Sequence, residues 1–232
     1  MAFQTPLADQ MRPQSLDQMV GQPALLNSGQ PLRQMIDQHV NIPLILWGPP
    51  GTGKTSLARI IADQNHYPFV AFNASTENKA KLTDAVAAYP HQSFVLLIDE
   101  IHRMTTTLQD FLLPHLENGH VMLIGSTTEN PIMSIVPAIR SRCQIFEFQP
   151  LADADIKTTL QRAVTAVYQL TEEQVEATAL DLLAIASDVD LRVALNILAT
   201  LHAIDPKQIT VAAVQNFAHQ QLFTYDSTAT KH

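Results

Sequence analysis

Gly48-Pro49-Pro50-Gly51-Thr52-Gly53-Lys54-Thr55 constrains this chain more than any other stretch, because the spacing G-x-x-x-x-G-K-T works only between a strand and a helix. The apolar run Leu44-Ile45-Leu46-Trp47 precedes it and a helical pattern from Thr55 through Ser56 to Ala62 follows. Glycines let such a loop curl its backbone N–H groups inward, where the helix N-terminus adds partial positive charge. The ligand this predicts is the phosphate chain of a nucleotide, ATP or ADP, with Lys54 on the β and γ phosphates and the Thr55 hydroxyl on Mg²⁺.

A magnesium held this way needs a second carboxylate. Phe94-Val95-Leu96-Leu97-Ile98-Asp99-Glu100 supplies one at the end of an apolar run. Asp99 is the expected metal residue, and Glu100 beside it the expected general base for a water attacking the γ phosphate.

Four more apolar runs accompany that strand: Pro43 to Trp47, Phe69 to Asn73, Val121 to Ser126 and Gln144 to Phe148. All five are near-continuous rather than alternating, the pattern of strands covered on both faces. Helical stretches fall between them at Thr55 to Ala62, Lys79 to Tyr89, Thr107 to Leu116 and Ile135 to Ile139, with Pro114 expected to distort or shorten the third. The fold class this predicts is α/β, a five-stranded parallel sheet flanked by helices. After Pro150 the pattern turns wholly helical, over Asp153 to Tyr168, Glu172 to Ser187, Leu191 to Ala203 and Val211 to Phe217. The expected division is a core at 1–150 with an N-terminal arm, a small helical lid at 151–222 and a polar tail at 223–232.

Composition narrows the function classes. With 46% hydrophobic and 16% charged residues, the 232-residue chain reads as an ordinary globular protein. Its apolar runs are too short for a bilayer span and its start lacks a signal-peptide pattern, so a cytoplasmic protein is expected. A single cysteine, Cys143, excludes an internal disulfide. The formal charge of −8 argues against a chain-wide grip on nucleic acid, so any DNA contact must be local. His102, His115 and His120 lack metal-ligand spacing and are expected as surface or capping residues.

Several strings look like the AAA+ family of replication-associated recombination protein A. They are Pro6-Leu7-Ala8-Asp9-Gln10-Met11-Arg12-Pro13, Val20-Gly21-Gln22, Asp99-Glu100-Ile101-His102-Arg103, Thr127-Thr128-Glu129-Asn130-Pro131 and Leu191-Arg192-Val193-Ala194-Leu195-Asn196. The resemblance implies an ATPase acting on DNA junctions or ends at stalled replication forks, near the nucleoid, with a single-stranded DNA-binding protein as a partner. It implies that Arg12, Pro13, Val20 and Gly21 wrap the adenine, although a plain N-terminal arm explains them too. Thr128 takes the place of sensor 1, a polar group on the γ phosphate or the attacking water. Arg192 takes that of sensor 2, reaching the phosphates from the lid; the second Arg usual after it is Val193 here. Ser141-Arg142-Cys143 resembles the clamp-loader motif that makes Arg142 an arginine finger for a neighbouring subunit, with Arg140 as a rival. Asn73 is set against an ordinary strand-end Asn as a residue holding Glu100 inactive.

The family continues into a helical domain that drives tetramers, so the sequence is expected to be a fragment that lacks it, with Tyr225-Asp226 at the start of that connection. A clamp-loader-like ATP switch is the alternative function. Ala74-Ser75-Thr76-Glu77-Asn78 lacks the aromatic-hydrophobic-Gly pore loop that a protein-remodelling chaperone would need.

Overall fold

The computed structural model describes residues 5–218. They fall into two compact units, Pro13–Gln149 and a second built from residues 5–12 with 150–218.

The first unit holds five strands: β1 Leu44–Trp47, β2 Phe69–Asn73, β3 Phe94–Asp99, β4 Val121–Thr127 and β5 Gln144–Glu147. They form one sheet in the order β2-β3-β4-β1-β5, every pair parallel, as the continuous apolar runs predict. Alternate residues of each strand enter different cores. Phe94, Leu96 and Ile98 of β3 join Phe72, Val121 and Leu123 beneath the helices Lys79–Ala87 and Thr106–Glu117. Val95 and Leu97 turn the other way, toward Leu44, Leu46 and Ile124, where Lys54–Gln64 and Pro31–Asp37 cover the sheet. Three layers result, and the strand ends carrying the sequence motifs all open on one edge.

Two helices depart from expectation. Thr106–Glu117 is not shortened by Pro114, which lies inside it. Thr105 caps its start by accepting Leu108 N–H, and Leu108, Leu112 and Leu116, four residues apart, bury one continuous stripe. That burial outweighs one missing backbone hydrogen bond near the helix end. The helix expected over Ile135 to Ile139 starts only at Pro137, as the short Pro137–Arg140, with a separate short helix Pro131–Ser134 before it. Pro137 drives the residue before it out of the helical region, and Val136 sits at ψ 144°.

In the second unit, Asp153–Ala166, Ala177–Ala186 and Leu191–Ile204 pack together, residues 211–218 are also helical, and the short helix Leu7–Gln10 lies on Leu191–Ile204. The helix expected from Glu172 starts only at Ala177, because Val175 is drawn into a parallel bridge with Ile209. The tail 223–232 lies outside the described residues. Among the described residues no helix is long and apolar enough to cross a membrane.

Candidate nucleotide site

The glycine loop leaves β1 and enters Lys54–Gln64. Gly48 donates its N–H to Thr127 O at 3.1 Å, and Phe148 N donates to Trp47 O at 2.7 Å, so the loop starts clasped between β4 and the exit of β5. Gly48 has φ 140°, and a Cβ there would lie 2.2 Å from the Phe148 carbonyl oxygen. Gly51 and Gly53 also take positive φ, 70° and 99°. Thr52 is buried and closes the turn by donating to Pro49 O at 2.9 Å. Lys54, the first residue of the helix, is nine-tenths buried; its Nζ donates to Gly48 O at 2.8 Å and Pro49 O at 2.6 Å. Pro50 is exposed on the loop, and Thr55 and Ser56, in the first turn, are half-buried.

The adenine candidates divide. Pro13, Val20 and Gly21 belong to the unit of the loop, and Met19 beside them comes within 3.0 Å of where a Gly53 Cβ would be. Gln22 fixes that segment. Its buried side chain donates to Gln149 O at 2.8 Å and accepts Gln149 N–H at 2.9 Å, as a paired strand would. Arg12 belongs to the second unit, where it pairs with Asp9. Arg192 is there too, exposed in the first turn of Leu191–Ile204, whose cap Asp190 accepts the Arg192 N–H at 2.9 Å.

β3 ends two strands from β1, about 10 Å away. Asp99 Oδ1 accepts Ser126 Oγ–H at 2.5 Å and the Glu100 N–H at 3.2 Å, while Oδ2 has no hydrogen-bond partner among the described residues. A carboxylate oxygen left open at the end of β3 and a Thr hydroxyl in the phosphate loop are donor types that suit a hard cation such as Mg²⁺. The fit of donor types is good.

Glu100 adopts a left-handed conformation, φ 54° and ψ 41°. That costs about 1 kcal/mol for a non-glycine residue. The next residue offsets it. Ile101 is buried on the sheet over Gly125, where a Cβ would lie 2.5 Å from the Ile101 Cδ1. Burying an isoleucine side chain is worth about 2 kcal/mol, enough to hold the turn.

Sequence reasoning missed what this turn delivers. His102, expected as a surface or capping residue, has a side chain only 4% exposed and lies between Glu100 and Glu129, with Nε2 3.3 Å from a carboxylate oxygen of each. Its Nδ1 is 2.8 Å from Thr127 Oγ1. A histidine two residues past the acidic pair, on a turn forced back over a strand glycine, was the available signal. Thr128 directly follows β4 and is exposed. The side chain of Asn73 accepts Ser75 N–H at 2.9 Å, within its own turn. His115 and His120 face each other with Nδ1 atoms 3.5 Å apart, and burial, then the neighbouring His120, lowers the His115 pKa. Among the described residues no group of three His, Cys, Asp or Glu can hold a metal ion.

The two arginine candidates differ in attachment. Arg140 donates Nη1 to the Ile132 and Ile135 carbonyls, bracing the loop after β4. Arg142 is more exposed; it donates to Ala138 O at 2.6 Å and pairs with Glu117 at 2.5 Å. Next to it Cys143 is buried, and burial pushes its thiol up to about 12, with the Arg142 charge only partly opposing. Native protein at pH 8 is therefore expected to resist iodoacetamide, whereas denatured protein is alkylated once, as intact-mass measurement will show.

Residues 44–151 match the family described as ATPase family associated with various cellular activities (AAA). Replication-associated recombination protein A of Bacillus subtilis is 36% identical over 98% of this chain, and that of Haemophilus influenzae 40% identical over 68%. The chain spans 56% and 37% of those two proteins. ATPase WRNIP1 of Dictyostelium discoideum is 36% identical over 83% of the chain, which covers 23% of it. Among solved structures, the Thermotoga maritima RuvB Holliday junction branch migration motor has the same fold, with a TM-score of 0.74 at 23% identity over 89% of this chain and 71% of that one. A phosphate loop and an acidic strand end on one sheet edge, within a matching sequence, place the chain among the AAA ATPases, with replication-associated recombination protein A among its relatives.

Proposed function

We propose that the chain binds and hydrolyses ATP with Mg²⁺, and that it does so in the service of DNA replication and recombination, at stalled forks or DNA ends. The observation that carries the hydrolytic part is the pairing of a buried Lys54 in the loop after β1 with Asp99 and Glu100 at the end of β3, on the same sheet edge. Lys54 would exchange its bonds to Gly48 O and Pro49 O for phosphate oxygens, and the loop N–H groups would add theirs. Thr55 and Asp99 would hold Mg²⁺, which when bound offsets charge on the phosphates. Glu100 would orient and deprotonate the attacking water, with Thr128 as a further polar contact. The names of the relatives support the DNA part.

Arg142 is the proposed finger for a neighbouring copy. To reach across, it must leave Glu117, and both members of that pair are more than one-third exposed, at 38% and 55%. An ion pair so placed is worth less than about 1 kcal/mol, so assembly can break it. Steady-state ATP hydrolysis measured against protein concentration, with and without forked or gapped DNA, tests this. Specific activity is expected to rise with concentration and with DNA, and Arg142→Ala to lower it by about a thousandfold. A rate independent of concentration and untouched by Arg142→Ala sinks the finger. ATP binding without turnover favours an ATP-controlled switch instead.

A further inference from the structure

His102 carries an inference that rests on Glu100 as the general base and extends it. Its Nε2 lies 3.3 Å from a carboxylate oxygen of Glu100 and of Glu129, groups that accept and never donate when ionised. Nε2 therefore bears the hydrogen. Nδ1 faces Thr127 Oγ1, which already accepts the Glu129 N–H at 3.0 Å and has its own hydrogen to give to the ring. One N–H thus lies within electrostatic reach of two carboxylates. Both distances are 3.3 Å, longer than a formed N–H···O bond near 2.9 Å, so the pull of the ring on each carboxylate is electrostatic.

The imidazole is held rigidly enough to set a direction. Its side chain is 4% exposed, Ile101 before it is anchored over Gly125, and Thr127 ends a strand buried along its whole length. Glu100, by contrast, has 35% of its side chain exposed and long rotatable freedom. Without a donor between them, Glu100 and Glu129 would repel and the Glu100 carboxylate would turn toward water.

We propose that His102 is the positioning residue for Glu100, its single Nε2–H fixing where the carboxylate lies, while Glu129 competes for that hydrogen and so links Glu100 to the loop that carries Thr128.

His102→Ala is expected to lower kcat for ATP by about ten- to a hundredfold, the scale of a misplaced catalytic group, with the affinity for a fluorescent ATP analogue within about twofold of wild type. His102→Gln, which returns an N–H donor, is expected to recover part of the loss. In the Glu100→Gln background, His102→Ala should subtract little more. An unchanged kcat overturns the proposal, and so does a parallel loss of kcat, affinity and melting temperature, which marks a packing role. Should wild type show no more turnover than Lys54→Ala, hydrolysis itself fails, and imidazole NMR then decides the pairing. An Nε2–H signal that moves on Glu100→Gln supports it; one that does not move overturns it.

Discussion

Lys54→Ala is expected to cut ATP turnover by at least about a hundredfold, the usual cost of removing one strong donor from a developing anion, and to weaken ATP binding. The ammonium is bonded to Gly48 O and Pro49 O, two carbonyls of the loop that it leaves from. Removing it strips those carbonyls of a charged donor as well as removing the phosphate contact. A carbonyl so deprived costs about 1–3 kcal/mol where water cannot replace the donor. The substitution should therefore lower the melting temperature a little and the activity a great deal. Calorimetric ATP titration beside a coupled hydrolysis assay separates the two. Turnover within a few-fold of wild type in a folded Lys54→Ala protein would remove the loop from the mechanism.

Gly48→Ala is expected to do the reverse, damaging the fold first. The added methyl would sit 2.2 Å from the Phe148 carbonyl oxygen, with the backbone at φ 140°. Neither partner can step aside cheaply. Phe148 is buried and its N–H is bonded to Trp47 O, while the Gly48 N–H is bonded to Thr127 O. Strain of about 3 kcal/mol follows, a fall of roughly 10 °C in melting temperature for a unit of this size. Because β1, β4 and β5 meet at this point, nucleotide affinity should fall with stability. Calorimetric scanning with and without ATP measures both, and a melting temperature within about 2 °C of wild type would contradict the tight approach.

The sheet was legible because continuous apolar runs leave a strand little choice but burial on two faces, and each such run here became a parallel strand. Helix ends were less legible where distant partners decided them. Val175 is lost to a helix because Ile209, far along the chain, bonds with it, and no local pattern announces that. Pro137 was visible in sequence, and its effect on Val136 delays the helix to Pro137. At the candidate site, Lys54 and the acidic pair follow from spacing alone. His102 did not, because its burial depends on Gly125 making room for Ile101, and the Gln22 clasp on Gln149 joins residues 127 apart.

The left-handed turn at Glu100 sets durability against chemistry. A glycine would relieve the roughly 1 kcal/mol the backbone carries there, whereas the carboxylate on which hydrolysis is proposed to depend would be gone. Lineages or libraries ranked only by persistence at high temperature would thus be drawn toward inactive chains at this position. Heat tolerance and turnover must accordingly be scored together wherever variants of this protein are compared.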